Sequence, residues 1–240
     1  MSWLTRLCAP LRPQAWPLPG ACWTCLAWGR DRICPDCRRT FAAPQSRCQG
    51  CALRLPEGST TPLCGHCVKA PLGLDACWAA ADFQPPWDGL LHALKYRGQT
   101  GTAAALAELL ADTLPRAQSI DAILPVPLHE ARLRTRGHNP SALLAQALAR
   151  PWQLPVREDC VLRVRDTPSQ TRLDRSARQR NLREAFALAP QAEVRGQHLL
   201  LVDDVLTTGA TLAALAQLLR RHGAASIQAC VVARTPDPHA

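Results

Sequence analysis

The sequence predicts an α/β protein, an open parallel sheet wound by helices, preceded by a small cysteine-rich module. Three observations predict it. Four CxxC pairs crowd between Cys22 and Cys67, strand-like and helix-like segments alternate from about residue 75 onward, and HLLLV (198–202) is the continuous apolar run of a buried parallel strand. At 240 residues the chain exceeds one average domain, so a full α/β domain at 75–238 and a smaller module at 20–72 are expected.

The pairs Cys22/Cys25, Cys34/Cys37, Cys48/Cys51 and Cys64/Cys67 are separated by eight, ten and twelve residues. A CxxC turn presents two sulfurs to one centre, so four pairs make two four-cysteine sites of the kind that holds structural Zn²⁺. Sequential and crossed pairing both fit the spacing. Prolines disfavour long helices in the first 90 positions, so the module is expected to be loop-rich and to need metal for order. A redox dithiol is the alternative, opposed by the lack of a helix start after Cys25 or Cys51; an iron-sulfur cluster is another. Cys8, Cys77, Cys160 and Cys230 fall outside the pairing and read as ordinary thiols, and His66 as a surface residue.

The α/β part follows in order. ACWAAADF (76–83) reads as a strand and TAAALAELLADTL (102–114) as a helix. DAILPVPL (121–128) is a buried strand, after which Asn139 as N-cap and Pro140 at the first helical position open SALLAQALAR. CVLRVR (160–165) and AFAL (185–188) have strand character around a polar, Arg-rich stretch. HLLLV (198–202) leads through a turn into the helix TLAALAQLLRRHG, stopped at Gly223, and SIQACVVA (226–233) is a further buried strand.

The most informative segment is LLLVDDVLTTGAT (199–211): an apolar strand, two carboxylates, a Thr-Thr-Gly turn, a helix. Ligands of open α/β sheets collect at the carboxyl ends of strands, where Asp203 and Asp204 suit the two hydroxyls of a ribose. The turn Thr207, Thr208, Gly209, Ala210, Thr211 offers backbone N–H groups and hydroxyls to a phosphate, and Gly209 removes a side chain that would block its approach. The helix dipole contributes only about 0.3 to 2 kcal/mol, so fixed donors must do most of the binding.

These residues resemble the PRPP-binding motif of type I phosphoribosyltransferases, and the chain resembles the ComF/GntX family of competence-related proteins nearly end to end. Besides the motif, the resemblance rests on the CxxC block, LKYRG (94–98), PVPL with RLRTRGHN (125–139) and SQTRLDRSARQRNLREAF (169–186). It implies a sheet of phosphoribosyltransferase type behind a double zinc ribbon. It also implies that Asp203 and Asp204 hold the ribose, that Thr207 to Thr211 hold the 5-phosphate, and that a mobile loop around 169–183 closes over the site. Where the family reads RGFNQ, this chain has Arg136, Gly137, His138, Asn139 and Pro140.

A transferase of this class displaces pyrophosphate from PRPP, which asks for Mg²⁺ and arginines to receive a departing polyanion. Candidates are Lys95, Arg97, Arg132, Arg134 and Arg136, with Arg172, Arg175, Arg178 and Arg180 in the polar loop; Lys95 and Arg136 are taken into the PRPP site. His129 and His138 lie nearby and read as structural.

Two functions stay open: a PRPP-dependent transferase with an unknown acceptor, or a non-catalytic nucleotide sensor that binds single-stranded DNA or acts as an adaptor in DNA uptake. Trp23 and Trp28 beside Arg30, Arg32, Arg38 and Arg39 could stack bases and meet phosphates, or the tryptophans could simply pack the module. The formal charge of +9 would fall to about +5 with eight thiolates around two divalent ions, too mild to demand nucleic acid. No apolar stretch suits membrane insertion or a secretory leader, and a cytoplasmic location is expected.

Overall fold

The computed structural model describes residues 20–115, 119–165 and 184–237. The cysteine module opens with two short antiparallel strands, β1 (Gly20–Ala21) and β2 (Trp28–Gly29), and contains two short helices, α1 (Pro35–Phe41) and α2 (Gly65–Lys69). Cys34 and Cys64 are the N-caps of those helices, so the second CxxC of each half lies on a helix start while the first lies on a turn. The two turns share one geometry: Leu26 and Ala52, each just after its second cysteine, adopt positive φ (63° and 54°). Their N–H groups donate back to the carbonyls of Cys22 and Cys48.

Four parallel strands form the main sheet in the order β3 (Ala76–Asp82), β8 (Ser226–Arg234), β7 (His198–Leu206), β4 (Ala122–Pro125). Alternation along β7 sets both cores. Leu200 and Val202 face one layer with α3 (Trp87–Tyr96), α4 (Thr102–Thr113) and α6 (Pro140–Trp152), while Leu199 and Leu201 face the other with α7 (Ala210–Arg221). Leu200 is fully buried, and truncating such a side chain to Ala costs about 2 to 5 kcal/mol. Among the described residues, no helix is long and apolar enough to cross a membrane.

Several elements differ from expectation. The strand expected over 121–128 spans only Ala122–Pro125, because Pro125 and Pro127 lack the N–H a ladder needs; Val126 still donates to Val202 O. β7 runs four residues past Val202, since β8 keeps pairing with it up to Arg234. Asp203 and Asp204 therefore belong to the strand itself. The segments expected at 160–165 and 185–188 form a separate antiparallel pair, β5 (Val161–Arg163) and β6 (Phe186–Leu188).

Besides the short α1 and α2 of the module, expected to be loop-rich, two helices of the α/β part were not anticipated. In α3, Trp87, Leu90, Leu91 and Leu94 repeat at helical spacing and are buried, a pattern overlooked behind Pro85 and Pro86. α5 (Glu130–Arg136) buries none of its residues and so carries no apolar period. It is held at its ends: His129 accepts from Ala131 N–H, Gly137 closes it at φ 79°, and Glu130 pairs with Arg134 one turn on.

Candidate functional site

Asp203 and Asp204 stand near the carboxyl end of β7, and neighbours from two other elements, α3 and α6, converge on them. Ser141, in the first turn of α6, donates its hydroxyl to Asp203 Oδ1 at 2.8 Å, and that oxygen also accepts the backbone N–H of Asp204 at 2.9 Å. Lys95, near the end of α3, brings its ammonium to 2.9 Å from Asp204 Oδ1. Burial, reinforced by the charge of Asp204, pushes the Asp203 carboxyl up to about 7 against the pull of Ser141, the Asp204 N–H and Lys95. The acid pair is thus sequestered but not apolar.

The RGHNP segment is the scaffold that brings Ser141 there. Asn139 accepts the Ser141 N–H as N-cap and donates its amide to Val126 O at 3.0 Å, while Pro140 occupies the first helical position, where no N–H is required. His138 Nε2 lies 2.7 Å from Leu94 O, tying this segment to α3 next to Lys95. The departures at positions 138 and 140 thus each have a structural role. Arg136 does not reach the acid pair through any described contact; its guanidinium lies over the Tyr96 ring, 4.9 Å from the centroid.

After β7 the chain turns through Thr207 and Thr208, both exposed, to Gly209 at φ 79°. No side chain caps α7 at Gly209 among the described residues; Thr208 Oγ1 accepts weakly from Ala210 N–H at 3.4 Å. The start of a twelve-residue helix, with the hydroxyls of Thr207, Thr208 and Thr211 around it, thus sits directly after the acid pair. A Cβ on Gly209 would come within 2.6 Å of Leu72 Cδ1 and push that side chain aside, and the positive φ itself favours glycine here.

The expectations for Arg172, Arg175, Arg178, Arg180 and the closing loop concern positions outside the described residues. Arg134 is paired with Glu130, and Arg97 is exposed. Sequence reasoning missed Ser141, although a hydroxyl in the first turn of a helix that opens beside the site was a readable signal. It also missed Arg234, which nothing local marks.

The eight paired thiols group sequentially, Cys22, Cys25, Cys34 and Cys37 in one site and Cys48, Cys51, Cys64 and Cys67 in the other, each set lying within 4.8 Å. Four sulfurs at about 2.3 Å from one tetrahedral Zn²⁺ stand about 3.8 Å apart. The sulfur separations are 3.9 Å for Cys22 to Cys37, 3.7 Å for Cys25 to Cys34 and 3.6 Å for Cys51 to Cys64, so both sets fit the ion. Backbone N–H groups of Cys34 and Cys64 point at Cys22 Sγ and Cys48 Sγ from 3.3 and 3.2 Å. Burial alone would raise both thiols, but these and neighbouring N–H donors outweigh it, bringing Cys22 down to about 6 and lowering Cys48 too. Cys77, Cys160 and Cys230 are buried, as expected of packing thiols.

An acid pair ending a central parallel strand, with a glycine-turned hydroxyl loop opening the next helix, defines a phosphoribosyl transferase domain, and that domain family matches residues 113–239. The chain is 38% identical over 227 residues to the DNA utilization protein YhgH of Shigella flexneri, covering 91% of this chain and 98% of that one. It is 32% identical over 223 residues to competence protein F of Haemophilus influenzae, covering 84% and 96%. The chain belongs to the ComF/GntX family. Among solved structures, adenine phosphoribosyltransferase from Thermoanaerobacter pseudethanolicus aligns with a TM-score of 0.37 at 16% identity, covering 57% of this chain and 83% of that one. An allosteric regulatory enzyme of purine biosynthesis aligns at 0.39 and 19%, covering 55% and 25%.

Proposed function

We propose that the chain binds PRPP or a related nucleotide and serves the use of external DNA, with residues 75–238 as the binding unit and 20–72 as a double zinc ribbon. The observation that carries this reading is the junction of the buried acid pair with the open loop that follows it. Asp203 and Asp204 accept the ribose hydroxyls, and Thr207, Thr208, Gly209, Ala210 and Thr211 surround the 5-phosphate with N–H and hydroxyl donors. Lys95 places a positive charge against this cluster, within reach of a pyrophosphate as well as of Asp204. Arg136, stacked on Tyr96 at the end of α3, is the guanidinium available from the RGHNP side.

Mg²⁺ arriving with PRPP would neutralise its pyrophosphate. Departure of that group from the anomeric carbon needs charge stabilisation more than a strong base, and Lys95 beside the acid pair is a described cation placed to give it. Catalysis is therefore the first reading, with the acceptor undefined. The names of the relatives support the DNA side, and so does Trp28, which stands 81% exposed beside Leu26 at 73%. Packing does not account for Trp28. The basic part of that surface is smaller than its sequence suggests, because Arg32 and Arg38 pair with Glu108 and Arg39 with Asp36. Stacking rather than phosphate contact is the mode this face supports, at about 1 to 3 kcal/mol per base.

The test is titration calorimetry of Mg²⁺·PRPP against the parent and against Asp203→Asn with Asp204→Asn, run beside pyrophosphate release with candidate bases. Loss of binding in a folded double variant is expected; equal affinity contradicts the assignment. Pyrophosphate release supports the transferase; a single-strand DNA titration over a salt series tests the DNA side, where affinity that persists as salt rises is expected of stacking and absence of binding at any salt removes that side.

A further inference from the structure

The second cysteine site and the phosphate loop are physically joined. Arg234, the last residue of β8, sends Nε to Cys51 O at 3.0 Å, while its Nη1 reaches Leu206 O at 3.0 Å, Thr207 O at 2.7 Å and Thr235 O at 2.7 Å. One guanidinium thereby bonds the carbonyl of a metal ligand and the two carbonyls at which the phosphate loop leaves the strand. A second, apolar link runs alongside. Leu72 packs on the cluster formed by Cys48, Cys51, Leu53, Leu55, Cys64 and Cys67, and its methyls fill the space where Gly209 would carry a Cβ.

Among the described residues the first cysteine site has no such connection to the phosphate loop. Cys22, Ile33 and Cys37 pack in the main core with α3 and α4, and its polar links run there too, through Arg32 and Arg38 to Glu108, Arg38 to Asp112, and Trp87 Nε1 to Phe41 O. The asymmetry is one of wiring, not merely of burial.

We propose that metal in the Cys48/Cys51/Cys64/Cys67 site holds the phosphate loop in its binding shape through Arg234 and Leu72, so that ligand at the loop and metal at this site strengthen each other. Arg234 is a positioning residue: its guanidinium is spent on backbone carbonyls and acts on the ligand only through the loop. The inference rests on the reading of Thr207 to Thr211 as the phosphate site. Linkage is reciprocal, and couplings between sites of this kind change affinity by about 5- to 150-fold in both directions. Loosening the Cys51 turn frees the carbonyl that fixes Arg234, and with it the backbone at Leu206 and Thr207.

The experiment uses the full chain loaded with zinc at both sites, together with a Cys25→Ser, Cys34→Ser form that keeps only the second ion. Zinc transfer to a chromogenic chelator is followed with and without saturating Mg²⁺·PRPP, and amide hydrogen exchange at 206–212 is followed with and without second-site metal. PRPP is expected to tighten zinc retention at the second site about 5- to 150-fold and to leave the first unchanged. Second-site metal should by itself slow exchange across the loop. Arg234→Met is expected to keep two zinc ions while binding PRPP more weakly; Leu72→Ala, which leaves every hydrogen bond in place, should shift affinity in the same direction by less.

Unchanged loop exchange on second-site metal removal, or parent PRPP affinity in Arg234→Met, overturns the coupling. Metal-dependent exchange in a chain that fails to bind PRPP would instead sustain the coupling and sink the phosphate-site reading, so the two failures are distinct. Should Arg234→Met not fold, the metal-dependent exchange of the parent and the Leu72→Ala shift decide alone.

Discussion

The two cysteine sites are built from the same paired CxxC motifs and the same turn, with eight residues between the pairs in one and twelve in the other, yet they sit in the molecule differently. In the second site all four thiols are buried, the Cys51 carbonyl is bonded by Arg234, and the neighbouring Arg47 forms an ion pair with Asp82 at 2.7 Å whose partners are only 12% and 14% exposed. In the first, Cys25 is exposed and Cys34 partly so, while Cys22 and Cys37 are buried in the main core beside α3 and α4. A shared motif therefore sets local geometry, whereas the surface it docks on decides which elements each site touches.

The largest difference is expected from removing the ligands themselves. Cys48→Ser with Cys64→Ser should lose one zinc ion, the order of the second ribbon and PRPP binding together, since a structural site of this kind contributes on the order of 10 kcal/mol to folding. Cys25→Ser should lose the first ion and lower melting through the core that Cys22 and Cys37 share with α3 and α4, yet keep PRPP binding. Metal content and PRPP affinity of the two variants make the comparison, and equal losses of affinity would break it.

The flanking arginines sharpen it. Arg47→Ala leaves Asp82 buried without its partner and also removes a donor to Ala52 O, so a loss of about 3 to 5 kcal/mol is expected in denaturant unfolding. Arg38→Ala should cost less, about 1 to 2 kcal/mol, for its pairs with the more exposed Glu108 and Asp112 and its bond to Ile33 O, and high salt should weaken only the ion-pair part.

Between these extremes lies the acid pair. Asp203 holds its proton up to about 7 in the fold, above its ordinary value of 3.8, so the folded chain binds more protons than the unfolded one across that window. Stability of the unliganded protein should fall as pH rises through it, by a slope that Asp203→Asn removes. PRPP affinity should move the other way, rising through about pH 7 as the carboxylate becomes available to the ribose. Melting temperature and calorimetric affinity over a pH series test both signs. The smallest effect is expected at Trp28→Ala, within about 0.5 kcal/mol in stability, and any larger change in single-strand DNA affinity then belongs to the surface itself.

What the sequence by itself determined was local. CxxC turns, the continuous apolar run HLLLV, the N-cap at Asn139 with Pro140 after it, and the order of strand, acids, threonines and glycine all depend on residues a few positions apart, where covalent geometry and local pattern suffice. Family resemblance extended that reading to a ligand. Only the tertiary structure decided which CxxC pairs share an ion, that β7 carries its acids within the strand, and which side chains surround them. Ser141 meets Asp203 across 62 residues and Arg234 meets Cys51 across 183. Such contacts arise because the sheet brings the ends of β3, β7 and β8 to one edge, and no local pattern records which side chains that edge will gather.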